Sequence, residues 1–591
     1  MRDRGGGLTR TAAAVLAVVV AATAPAGCTG GRSGGRDSGD PQLGGTLTIV
    51  GSADVDHLDT ASAYHHPAYL LHRAITRQLL QYPTTADRRA AVQVAADLAE
   101  RVPKPTDGGR RYTLTIREGA RWDTDPPRQI TAEDVVRGFE RLCNPAQPAD
   151  GPRYFEGVIE GMTRFCTGFA EVPAEVGAIR RYLEAQDISG LDVLDSRTVR
   201  ITLTRRAVDF LHLLALPAAS PVPAEALGQL PDSPEFRQHY VASGPYKIAK
   251  YAPNQGFTLV RNPAWRARTD PLRRAHVDRI EVVQGSDDGV AQERLEDGSA
   301  DLTWDVTVPA AEVARLLAAD DPKLTLVPDG GCDPFLAVNF KSPASRGALG
   351  EVKVRQALNY AVDKQAIVEL YGGAALRQPS DQVLTPPLTG YRRFSLYPTP
   401  GHRGDPGRAK ELLAEAGYVD GVRLTLLYRD AGQHPYVAAS LRTALGKAGV
   451  TLSLRPVGTE AFYDVVHSSA ATERGDWDLA LAGWGPDWYG TAERSVFVPL
   501  FDGRACGPGS ANFACYSDAA VNELIDKALS ASSSAEAARL WAEADRQVMS
   551  DAPFVPLLTG RRPVYHAKRV RGAVVQPFFT NYDPTNVWLA D

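Results

Sequence analysis

Apolar and polar residues alternate in short runs along this chain, and between those runs the apolar positions recur every three or four residues. Gly45-Thr46-Leu47-Thr48-Ile49-Val50 predicts a first strand. Tyr112-Thr113-Leu114-Thr115-Ile116 and Thr198-Val199-Arg200-Ile201-Thr202-Leu203 alternate with period two and predict two more. Helical spacing appears at Val135, Phe139 and Leu142, directly after Thr131-Ala132-Glu133-Asp134, where a threonine can cap free N–H groups and acids follow in the first turn. Val354, Ala357, Leu358 and Ala361 mark a second amphipathic helix, and Ala409 to Ala416 a third. These segments are core-forming and carry no chemistry of their own. Strands and helices mixed throughout predict an α/β architecture.

Length changes the picture. At 591 residues the chain exceeds what one hydrophobic core usually serves, roughly 250–300 residues, so at least two lobes are expected. The 65 basic and 70 acidic side chains give a net charge of −5, which argues against a nucleic acid as partner. The N-terminus has arginines at 2, 4 and 10, an apolar run from Ala12 to Ala24, and then Pro25-Ala26-Gly27-Cys28. Such a run is short of the ~20 apolar residues of a membrane span and has the form of a secretory signal peptide. Ala26-Gly27 before Cys28 resembles a bacterial lipobox, although Pro25 stands where an aliphatic is usual. Residues 1–28 are therefore expected to be a lipoprotein signal with Cys28 acylated, and residues 29–43 a flexible tether. Export permits disulfides. Of the five other cysteines, the sequence-local pairs Cys143–Cys166 and Cys506–Cys515 are expected to bond, leaving Cys332.

A series of blocks, read in order, resembles the family 5 (peptide/nickel-type) extracellular solute-binding proteins of ABC transporters. Tyr112-Thr-Leu-Thr-Ile-Arg-Glu-Gly-Ala-Arg-Trp122 with Ile130-Thr-Ala-Glu-Asp-Val-Val136 looks like the family's signature. Ala242-Ser-Gly-Pro-Tyr-Lys247, Val260-Arg-Asn-Pro-Ala-Trp265, Gly298-Ser-Ala-Asp301, Val352-Lys-Val-Arg-Gln-Ala-Leu-Asn-Tyr-Ala-Val-Asp363 and Asp476-Trp-Asp-Leu-Ala-Leu-Ala-Gly-Trp484 continue it. The resemblance implies a two-lobed, periplasmic-binding-protein-like α/β fold with a hinge and an extra subdomain inserted in the first lobe. Mapped onto this chain, lobe I is expected over 44–305, with its insert at about 83–208. Lobe II is expected over 306–535, and 536–591 should return to lobe I.

The resemblance also implies a site. Peptide-binding members hold their ligand as an added strand beside a Gly-Trp segment, with an aspartate on its α-ammonium. The matching positions are Gly483, Trp484, Gly485 and Asp487, with Trp488 as a further apolar wall. Leu481 stands where some oligopeptide binders carry an arginine for the ligand carboxylate, so that end must be recognised elsewhere. On the facing lobe, Ala63, Tyr64, His65 and His66 should line the cleft. Paired histidines raise a metal reading, but neighbours on a strand point to opposite faces, so no metal is expected and no cofactor. The implied function is capture of di- or oligopeptides by lobe closure at the outer face of the membrane, by a monomer serving permease subunits, without catalysis. An oligosaccharide, nickel chelate or other solute is the alternative ligand. A secreted hydrolase is a weaker rival, since no S-x-x-K or H-E-x-x-H appears.

Overall fold

A computed structural model describes residues 40–147, 152–507, 510–513 and 515–590. The expected signal peptide, Cys28 and most of the tether lie outside the described residues. Residues 40–591 form one compact unit.

The first sheet has five strands in the order Leu302–Thr303, Thr46–Val50, Arg279–Val283, Gly256–Arg261 and Tyr246–Ala252. Thr46–Val50 lies in its interior, parallel to both neighbours, with Leu47 opposite Ile280 and Ile49 opposite Val282. Leu47, Ile49 and Val50 are all buried, as a strand covered on its faces should be. A smaller antiparallel sheet of Arg111–Thr115, Thr198–Thr202 and Leu191–Asp195 falls within the expected insert. Helix Ala132–Glu140 packs on it, and its start is built as the sequence indicates: the Thr131 N–H donates to Asp134 Oδ2 at 3.0 Å.

The second sheet is organised around a 15-residue strand, Leu324–Val338. One end pairs with Leu558–Tyr565, and the other with Leu479–Trp484 and Phe554–Pro556. Its register shifts on both sides of Cys332, so the strand bulges where Cys332 faces Trp484 and Thr559. Helices Val352–Ala361, Pro406–Glu415 and His434–Lys447 cover this sheet through Leu358, Leu412, Leu413, Leu441 and Leu445.

This topology corrects one expected boundary. Strands 554–556 and 558–565 belong to the second sheet, and helix Ser534–Asp551 packs on Ala519–Leu529, so the second half continues past residue 535. The chain rejoins the first sheet only after Tyr565, where the Ala567 N–H reaches Asp301 O at 2.9 Å and Arg569 pairs with Asp301 at 2.6 Å. Ladder pairing along Leu324–Val338 holds these strands, and nothing in the local pattern of Phe554 to Tyr565 announces the crossing.

Disulfides join Cys143 to Cys166 and Cys506 to Cys515, while Cys332 is a buried free thiol. Among the described residues no helix is long and apolar enough to cross a membrane.

Candidate functional site

The strand Leu479–Trp484 fixes the geometry of the site. On one side it runs antiparallel to Leu324–Val338, with Leu336 opposite Leu481 and Phe335 opposite Ala482. On the other it runs parallel to Val422–Arg429, but that register covers only Leu479 and Ala480. Among the described residues no strand pairs with Leu481–Trp484 on that side. The strand therefore ends in a segment whose backbone is paired along one edge only. Gly483 has to be glycine there, because a side chain would collide with the Asp333 carboxylate. Gly485 is exposed and has open space where a side chain would stand.

The loop that follows carries Asp487 to the first half of the molecule. Its N–H donates to Ser495 Oγ at 3.1 Å. Its carboxylate accepts hydrogen bonds from the Tyr64 hydroxyl, at 2.5 Å, and from the Tyr154 hydroxyl. Tyr64 precedes helix His66–Ile75, and Asp56 anchors its segment by accepting from the N–H groups of Tyr64 and His65 at 2.8 and 2.9 Å. Tyr154 belongs to the short helix Pro152–Phe155 in the inserted region, and its ring meets Trp488 edge-on at 5.1 Å. Arg494 steadies that helix by donating to Tyr154 O at 3.1 Å while facing Asp209 at 3.5 Å. Two distant stretches of chain thus converge on a carboxylate carried by a third.

The two tryptophans differ. Trp484 is half-buried and its indole N–H donates to Ser495 O at 2.9 Å. Trp488 is fully buried, bonded to Thr491 O at 3.0 Å, and serves as the support beneath Tyr154. Of the facing histidines, His65 is exposed. His66 is exposed as well, its Nδ1 meets Thr580 Oγ1 at 3.2 Å, and desolvation with the neighbouring Arg562 pushes its imidazole down to about 4. A neutral His66 tied to Thr580 is not part of the Asp487 cluster. Among the described residues no group of His, Cys, Asp or Glu has metal-site geometry.

A second polar cluster, missed from the sequence, lies along the same part of the second sheet. Asp333 packs on Gly483 and is pushed up by desolvation against the pull of Arg377 and Arg429. Arg377 faces Asp329 at 3.5 Å and stacks on Tyr371, 5.2 Å from the ring centre. Arg429 lies over Phe462 and Tyr463 and donates to the Tyr463 hydroxyl at 3.3 Å. Among the described residues, the Nε atoms of both arginines and the Nδ1 of His434 are buried without a hydrogen-bond partner. Burial and Arg429 push the His434 imidazole down to about 4. No local motif marks these residues, which strand order alone gathers.

The model of bacterial extracellular solute-binding proteins, family 5 (middle), matches residues 93–500. The chain belongs to this family. Among curated relatives, this family 5 protein is 27% identical to heme-binding protein A of Haemophilus influenzae over 494 residues, 80% of each chain. It is also 27% identical to the periplasmic oligopeptide-binding protein OppA of Salmonella typhimurium over 487 residues, again 80% of each. Among solved structures it resembles clavulanic acid biosynthesis oligopeptide binding protein 2, with 30% identity, a TM-score of 0.83, and coverage of 93% of this chain and 96% of that one. The fold is accordingly the two-lobed α/β fold of the family 5 binding proteins.

Proposed function

We propose that this family 5 protein captures a peptide between its lobes, with Asp487 on the peptide's α-ammonium, and passes it to permease subunits of a membrane transporter. The observation that carries the reading is the half-paired backbone of Leu481–Trp484 ending beside the Asp487 carboxylate. An extended peptide adds to such an edge through main-chain bonds that do not read side chains. A carboxylate offers about four lone-pair sites, so Asp487 can keep both tyrosine hydroxyls and still receive an ammonium. Arg377, Arg429 and His434, with buried N–H or ring nitrogen atoms unpaired, would meet the ligand's carboxylate or carbonyl end, in place of the arginine absent at Leu481. Relatives named for oligopeptides and di- or tripeptides favour this ligand class over the chelate and sugar alternatives.

Tyr64 and Tyr154 reach Asp487 from the other side of the cleft, so closure and ligand contact are coupled. A ligand that touches both lobes favours the closed form by its differential contacts. No bond is made or broken. An N-terminal signal with Cys28 acylated would hold the protein, as a monomer, at the outer face of the membrane, with 29–43 as tether.

A thermal-shift screen of pooled di- to octapeptides against oligosaccharides, nickel chelates and haem tests this reading. A ligand at ~100 times its dissociation constant stabilises the native state by ~2.7 kcal/mol. A raised midpoint with peptides is the expected result. A rise with haem, sugars or chelates alone would overturn the ligand and leave the fold untouched.

A further inference from the structure

The segment that carries Tyr64 also borders a second hollow, of about 230 Å³, which shares no lining residue with the Asp487 cluster. Its walls are largely apolar: Trp122, Phe236, Tyr240, Pro221, Val222 and Ala226. Into this lining the fold sets Arg141 and Asp59, whose side chains are 4% and 1% exposed. The Arg141 guanidinium lies over the Phe236 ring, 4.9 Å from its centre, and donates from Nη2 to Asp59. Among the described residues Asp59 is its one hydrogen-bond partner, which leaves the donors on Nε and Nη1. Thr60 lines the same hollow at 6% exposure, and its hydroxyl has no hydrogen-bond partner among the described residues. Gln229 and His239 also line the hollow, His239 Nδ1 meeting Glu235 O at 2.8 Å, and three other neighbouring polar groups are committed elsewhere. The Trp122 indole N–H is on Asp134 at 2.9 Å, the Tyr240 hydroxyl meets Thr76 at 2.6 Å, and Glu225 pairs with Arg128 at 2.9 Å.

We propose that this hollow is a second small-molecule site, for a compact ring-bearing molecule with one neutral carbonyl acceptor, an aromatic amide being the simplest case. Size sets the first limit. A dry cavity of roughly 150 Å³ holds benzene, so this one takes a ring and one substituent, about ten non-hydrogen atoms. Lining sets the second: aromatic and aliphatic walls with a few convergent polar groups are what ligand pockets offer. Charge sets the third. Arg141 supplies strong donors, and Asp59 already balances its charge, so a carbonyl oxygen completes the set where a further carboxylate would face Asp59. The donors open onto the hollow, where a carbonyl oxygen would take the place of water. The ligand would be distinct from the peptide and would bind whether or not the cleft is filled.

The test uses the purified full-length chain with 4-fluorobenzamide and 4-fluorobenzoate, followed by fluorine NMR. The amide should bind, about tenfold more tightly than the benzoate. Ala226→Trp, which fills the hollow from a short exposed turn, should abolish amide binding and leave peptide-induced thermal stabilisation unchanged. Thr60→Val, which keeps the shape, should weaken the amide by about tenfold. Failure of the amide to bind at millimolar concentration, or binding of the benzoate as tight as that of the amide, would overturn the proposal. Amide binding that survives Ala226→Trp would overturn it equally, by placing the probe elsewhere.

Discussion

At the scale of single residues, the structure shows how the Asp487 carboxylate is held. The Tyr64 and Tyr154 hydroxyls donate to it, and Trp488 supports Tyr154 from the core. Tyr154→Phe keeps the ring against Trp488 and removes one hydroxyl, so peptide affinity should fall about tenfold by calorimetry, the usual cost of one hydrogen bond to a charge. Glu493 offers a check on burial. It is almost wholly buried, accepts the Gly390 N–H, and desolvation pushes its carboxyl up to about 7. A raised carboxyl means the folded chain binds a proton that the unfolded chain releases near its ordinary 4.5. Its contribution is therefore present below that value and is lost as pH rises towards 7. Glu493→Gln should flatten the decline in urea stability between about pH 4.5 and 7, and a slope as steep as that of the parent chain would contradict the assignment.

At the scale of elements, helix Ala132–Glu140 shows what sequence alone discloses. Thr131, the acids after it and the spacing of Val135 and Phe139 are local signals, and local signals made this helix legible. What they did not disclose is how much Asp134 does. Its carboxylate accepts from Thr131 N–H, the Trp122 indole, Arg128 and Arg137, at 2.7–3.0 Å. Thr131→Ala should cost about 1 kcal/mol in chemical denaturation, the ordinary price of a cap. Asp134→Ala should cost about 3–5 kcal/mol, because it strands buried donors and a cation. The same distinction runs through the candidate site. Gly483, Trp484 and Asp487 lie in one short stretch and were visible as a stretch. Arg377, Arg429 and His434 come from three separate elements that the second sheet gathers, and Tyr154 reaches Asp487 from a fourth; no local pattern encodes either. The late return of the chain, after Tyr565 and not at 536, was hidden for the same reason.

At the scale of the whole molecule, contacts between the inserted region and the second half hold the cleft together. Arg205 donates to Leu529 O at 2.8 Å, Arg206 to Ser532 O at 2.6 Å, and Arg494 spans to Tyr154 and Asp209. Family membership and the likeness to solved structures agree on a two-lobed solute-binding protein of family 5. If acylation of Cys28 anchors it, Cys28→Ala in the producing cell should move the protein from the membrane fraction into the medium or periplasm, followed by fractionation and immunoblot.

The central claim is that Asp487 holds a peptide's α-ammonium. Calorimetric titration of the most stabilising peptide and its N-acetylated form, into the parent chain and into Asp487→Asn, tests it most directly. Acetylation and the substitution should each cost about 2–5 kcal/mol, and the two together should cost little more than either alone, since both remove one interaction. Equal binding of the free and acetylated peptides by the parent chain would contradict the account.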